Sequence, residues 1–163
     1  LALPLADEAC SPAFHHYPAA SLPAWQLPGA DLQLLIGHHA GRQSPVRTFS
    51  DTLYLSWQLH AGARFELPQA AERGLYLFDG SVRVGDENIQ AGELVVLGDG
   101  VSEIVSEQGA CGVVFGGAML DAPRFMEWNF VASQRERLQQ AREDWAAGRF
   151  AMVPGETDFI PQP

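Results

Sequence analysis

The sequence predicts an all-β fold: an antiparallel sandwich or barrel of short strands, ended by one α-helix. Three observations predict it. Apolar and polar residues alternate in short runs from residue 31 onward, the period of strands with one buried face. Glycine-bearing turns separate these runs every eight to twelve residues or so, the spacing of antiparallel sandwiches and barrels. Past residue 124 the period changes to that of a helix.

Each element has its own warrant. Residues 1–30 contain "SPAFHHYPAASLPAWQLPG", with prolines at 12, 18, 23 and 28. Proline fixes φ and removes a donor, so this segment is expected to be an extended arm packing on the barrel. "LQLLIGH" predicts the first strand. "TLYLSWQLHAG" is the clearest one: Leu53, Leu55, Trp57 and Leu59 share one face, and Tyr54, Ser56, Gln58 and His60 the other. A turn at Ala61-Gly62 leads to "ARFELP". "GLYLFDG" is apolar on both faces and predicts a central strand. "SVRVGDENIQAGE" predicts a hairpin with its turn near Gly85 to Asn88. "ELVVLGDG", "VSEIVSE" and "CGVVFGG" follow as short strands. The barrel is expected over 31–120, with the helix and tail of 121–163 belonging to the same domain.

The helix is expected to start at Ser133, with Glu136 completing a capping box, and to stop at Gly148. Leu138, Ala141 and Trp145 form its apolar stripe. Arginines 135, 137, 142 and 149 alternate with acids, so pairs at i,i+3 and i,i+4 are expected along the wet face. The helix is expected to pack through its stripe rather than to bind a partner or nucleic acid.

Composition excludes several function classes. The chain has 163 residues, a hydrophobic fraction of 47% and a formal net charge of -10, with no lysine. An acidic surface repels phosphate backbones, which argues against direct nucleic-acid binding. No apolar run is long enough to span a membrane. The opening "LALPLADEA" lacks the basic start and full apolar core of a signal peptide. Cys10 and Cys111 lie far apart and in no CxxC pattern, which suits two reduced thiols in a cytoplasmic protein. There is no G-x-S-x-G nucleophile elbow, and no P-loop is possible without lysine. Asp51, Glu66 and Glu72 read as solvated carboxylates.

The end of the chain carries a recognisable pattern. "EWNFVASQRERLQQAREDWAAGRF" followed by "VPGETDFIP" resembles the C-terminal signature of the pirin family. "FHHYPAASLPAW", "SPVRTFSDTLYLSWQLHAGARFELP", "LYLFDGSV" and "GELVVLGDG" resemble the second half of pirins in order and spacing. Pirins are two tandem cupin barrels, so the resemblance implies a cupin barrel (double-stranded β-helix, jelly-roll type) with one C-terminal helix. It also implies that this sequence is the C-terminal half. Some pirins show metal-dependent quercetin 2,3-dioxygenase activity, and others act as iron-bearing transcription cofactors. Iron or another divalent metal is then expected in the N-terminal cupin half only.

A cupin metal site needs imidazoles and a carboxylate converging inside the barrel, with open positions left on the ion. Aligned on the first cupin motif through Gly80, this sequence places Arg73 at the glutamate position. Leu67 and Gln69, or Glu66 and Pro68, then fall at the histidine positions. Aligned on the second through Gly92, Gly98 and Gly100, it places Glu103 at the histidine position and Glu107 at the asparagine position. No catalytic residue, no cofactor-binding residue and no metal ligand is therefore expected in this barrel. Arg73 and Glu103, set where two ligands would face each other, are expected to pair. The adjacent pairs His15-His16 and His38-His39 cannot each chelate one ion from a single strand. His38 or His39 with His60, in and beside the loop "GHHAGRQSPV", is the weaker alternative site.

The expected function is a non-catalytic C-terminal cupin module of a pirin-like protein, with the N-terminal cupin half as its partner. Two alternatives stay open. One is a stand-alone single-domain cupin binding a small molecule in its barrel. The other is a transcriptional partner acting through an exposed surface, with self-association a further expectation.

Overall fold

The computed structural model describes residues 2–152, 155 and 157–162. Val153, Pro154 and Glu156 of the "VPGE" segment lie outside them. The chain forms two compact units. One is Pro12–Met119; the other joins Leu1–Ser11 to Leu120–Pro163.

In the larger unit, nine strands make one antiparallel sheet. These are β1 (Ala24–Leu27), β2 (Ala30–Ile36), β5 (Thr52–Leu59), β6 (Arg64–Glu66), β7 (Glu72–Val84), β8 (Glu87–Gln90), β9 (Leu94–Leu97), β10 (Glu103–Val105) and β11 (Ala110–Gly117). Two further short strands, β3 (His38–His39) and β4 (Arg42–Gln43), form a hairpin of their own. The sheet runs β1-β2-β5-β11-β7-β10-β6, with β8 and β9 also on β7. Part of the segment expected as an arm is thus a strand: β1 pairs with β2, setting Trp25 opposite Leu32.

The strand faces follow the sequence period. In β5, Leu53, Leu55, Trp57 and Leu59 are buried, as alternation requires. Leu34, Leu55, Leu75, Leu77, Ile104 and Val114, each 0% exposed, centre the core. Burying each such side chain contributes roughly 1.5–3 kcal/mol over leaving it in water.

β7 spans 13 residues and changes face midway. Leu75 and Leu77 are buried before the change; Val82 and Val84 are buried after it. The cause is a bulge: the register against β11 shifts between Cys111 and Gly112, which adds one residue and bends the strand. Gly80, at φ +77, then turns beside Ala110, where a side chain would collide with the Gly109 carbonyl. This bend lets β7 pair with β11 along one stretch and with β10 at its end, curling the sheet around its apolar face. Gly85, at φ +58, opens the turn to β8, which falls in the expected region and has two residues, Gly85 and Asp86.

In the smaller unit, β12 (Phe125–Glu127) and β13 (Phe130–Ala132) form a hairpin beside helix α1 (Arg135–Ala146). The stripe is as expected, with Leu138 buried. Trp145 meets the rings of Trp128, Phe130 and Phe150 edge-on at 5.3, 6.4 and 5.6 Å. Gly148, at φ +65, ends the helix. Its N–H donates to the Trp145 carbonyl, and Arg149 N–H to that of Asp144, a Schellman arrangement.

The helix start differs from the expectation. The N-cap is Gln134, with no side-chain cap bond. Ser133 is one residue too early, and its groups go elsewhere: its N–H donates to Glu8 Oε1 and its hydroxyl to Glu8 Oε2 at 2.7 Å. The Ser133 hydroxyl, first among the causes, holds the Glu8 carboxyl below its ordinary range. The arginine pairs also differ. Arg137 reaches Glu8 at 3.4 Å and Arg142 reaches Glu127 at 2.7 Å, while Arg135 lies over the Phe125 ring. None of these arginines has an acid three or four residues away, so their partners come from elsewhere; Arg149 reaches Asp144, five residues back, at 2.6 Å. Among the described residues, no helix is long and apolar enough to cross a membrane.

Candidate functional site

The interior end of the curled sheet is where the two glycine-framed motifs converge. Arg73, near the start of β7, shares the inward face with Leu75 and Leu77 and is 5% exposed. Its guanidinium is held by backbone oxygens. Nη1 donates to the Pro68 carbonyl at 3.1 Å; Nη2 donates to those of Gly98 and Val101 at 3.2 and 2.8 Å. One side chain therefore ties the loop before β7 to the loop between β9 and β10. Burial of a cation is costly unless it is hydrogen-bonded. Here three carbonyl dipoles supply the bonding in place of a carboxylate.

The expected pairing of Arg73 with Glu103 is not made. Glu103 lies opposite Glu66 across the β6–β10 pair, and its Oε1 sits 3.6 Å from Arg64. The pleat explains the miss. Ile104 and Phe65, facing each other at the next register position, take the inward places, so Glu103 is turned outward while Arg73 is turned inward. Motif spacing counts residues along the chain and ignores this parity; the apolar alternate Ile104 was the available signal. Of the other motif positions, Leu67 and Pro68 are buried and Gln69 and Glu107 exposed.

The weaker histidine site is not assembled either. His60 pairs with Asp31 at 3.0 Å, and Asp31 is held below its ordinary range by Gln26 first and His60 second. His38 lies 3.9 Å from Asp51. His39 turns instead between Trp25 and Phe65. Each ring has a different neighbour, and no three ligating side chains converge among the described residues. The loop does shape an open pocket of about 320 Å³, lined by His38, Ser44, Thr48, Ser50 and Thr52 among others.

A buried guanidinium, an aliphatic side chain and an amide do not fit a divalent cation. They offer no imidazole and no inward carboxylate. A nine-stranded antiparallel sheet curled on an apolar core and framed by these glycines defines a cupin half-barrel. The comparisons agree on the fold and narrow it. The family model for the pirin C-terminal cupin domain matches residues 54–151. The chain belongs to the pirin family and corresponds to its C-terminal half. A pirin-like protein of Caulobacter vibrioides is 33% identical over 100% of this chain and 58% of its own length. A putative quercetin 2,3-dioxygenase of Pseudomonas aeruginosa is 36% identical over 91% of this chain and 48% of its own. The crystal structure of a quercetin 2,3-dioxygenase from Acinetobacter baumannii superposes with a TM-score of 0.87 at 28% identity, covering 100% of this chain and 56% of that one. The chain spans about half the length of the curated relatives it matches.

Proposed function

We propose that this chain is the non-catalytic cupin module of a pirin-like protein whose complete form is a quercetin 2,3-dioxygenase-type enzyme or an iron-bearing transcription cofactor. Iron, or another divalent metal, sits in the N-terminal cupin half, which is also this module's partner. The observation that carries the reading is Arg73. Its fixed positive charge stands where a cupin places its carboxylate ligand, and its hydrogen bonds to Pro68, Gly98 and Val101 lock it there. A divalent ion placed about 4 Å from that charge would be repelled by roughly 8 kcal/mol at an effective dielectric of 20. The interior positions around it are filled by Leu67, Leu75, Leu77 and Leu97, which favours a structural role over a ligand-filled lumen. The unpaired thiols of Cys10 and Cys111 suit a cytoplasmic setting.

The test is elemental analysis of the purified chain for iron, manganese, copper, nickel and zinc, normalised to protein, alongside the full-length pirin-like protein. The expected result is no stoichiometric metal in the chain and about one equivalent in the longer protein. About one metal per chain in the module itself would overturn the reading.

A further inference from the structure

The curled sheet has two ends, β1 and β6, that share no backbone pairing. Side chains close this seam. At one point Gly29, in the β1–β2 turn at φ +80, lies against Ala63, so close that an added Cβ would come within 2.8 Å of that methyl. Elsewhere the β3–β4 hairpin crosses the gap. The His39 ring centroid is 6.0 Å from Trp25 of β1 and 6.4 Å, edge-on, from Phe65 of β6. Beside it the Arg42 guanidinium lies 4.6 Å above the same Trp25 ring.

The hairpin is fixed at one end. Its base is pinned: Ser44 N–H donates to the Gly37 carbonyl at 2.9 Å, and the Ser44 hydroxyl to that of Leu35 at 2.6 Å. Above that pivot its strands have two residues each. Its turn passes through Ala40 at φ +49 and Gly41 at φ +73, a conformation that strains the alanine. The Nε1–H of Trp25, the ring that His39 and Arg42 flank, is buried with no hydrogen-bond partner in the protein, an unsatisfied donor that opening of this region would expose.

We propose that the β3–β4 hairpin is an acid-released latch on the barrel seam, with His39 as the group that titrates. As a neutral ring, His39 packs tilted on the Trp25 ring and edge-on to Phe65. As a cation it would be a second positive charge on the indole that Arg42 already covers. The charged groups facing it pull in both directions. Glu66 on β6 favours the cation, while Arg42 and His38 on the hairpin oppose it; β1 carries no titratable residue. Burial is the largest influence and, with the two like charges, holds His39 below its ordinary value of 6.5. The sign follows. The latched state binds the proton less readily than the released one, so the latch holds above the ordinary histidine range and weakens as pH falls below it.

Amide hydrogen exchange over residues 22–46, corrected for intrinsic rates, tests this at about pH 7.5 and about pH 5. The chain is expected to lose protection there at the lower pH by at least about threefold, while β5 and β11 keep theirs. His39→Phe keeps an aromatic wedge without a charge and should show equal protection at both pH values. His39→Gln serves the same purpose if the phenylalanine does not fit. His38→Gln should respond like the parent. Equal protection of the parent at both pH values would overturn the latch. So would a surviving pH response without His39, or a loss that spreads equally through β5.

Discussion

Replacing Arg73 with methionine isolates the guanidinium, because the aliphatic stem and its packing are kept. Three hydrogen bonds are lost, and their acceptors differ in surroundings. The Pro68 carbonyl is in a buried pairing, whereas those of Gly98 and Val101 are part-buried. A stranded buried acceptor costs about 1–3 kcal/mol, and each bond that water can replace costs about 0.5–1.5 kcal/mol. Removing a buried cation returns part of its dehydration cost. The net expectation is a loss of about 2–4 kcal/mol, a large share of the roughly 5–15 kcal/mol that holds a domain folded. Urea unfolding followed by tryptophan fluorescence reads it directly. With a slope of about 2 kcal/mol per M, the midpoint should fall by about 1–2 M at unchanged slope. Arg73→Glu should be worse, since a carboxylate would face three carbonyl oxygens, and it should not create a metal site beside Leu67 and Gln69. A methionine variant within about 0.5 kcal/mol of the parent would refute the view that this side chain ties the two loops together.

Two further outcomes are expected. Ser133→Asp, a substitution that is close to neutral when the position is a true N-cap, should destabilise here, because the new carboxylate would face Glu8; thermal unfolding of the single variant, and its rescue by Glu8→Gln, separates the two cases. Gly112→Ala should unfold the larger unit or lower its stability by roughly 3 kcal/mol or more, because the added methyl meets the Tyr76 carbonyl oxygen and comes within 2.7 Å of the Trp57 ring; circular dichroism against urea is sufficient to read it.

Much of the fold was legible because its signals are local. The period of two in "TLYLSWQL" placed Leu55 and Trp57 inside without knowledge of any partner strand. Gly148 marked the helix end because a left-handed residue is needed there whatever packs nearby. The family pattern added the architecture that closes these strands into a cupin half-barrel. The candidate site was less legible. Counting from Gly80 singled out Arg73, and its inward parity could have been read from Leu75 and Leu77. Its acceptors could not, because backbone carbonyls carry no sequence signature. Glu103 was misplaced because motif spacing was followed where strand alternation ruled.

What the sequence determined by itself is therefore most strands of the larger unit, the helix, and the buried face of each; β1 and the β12–β13 hairpin were not read from it. Tertiary structure alone decided who meets whom. Arg73 is 25 and 28 residues from two of its acceptors, and Ser133 is 125 residues from Glu8. His39 met Trp25 and Phe65 rather than another histidine. Periodicity reports which face a residue takes within its own element. A hydrogen-bonded or stacked partner depends on the register and curl that bring distant elements together, and those exist only once the chain has closed on its core.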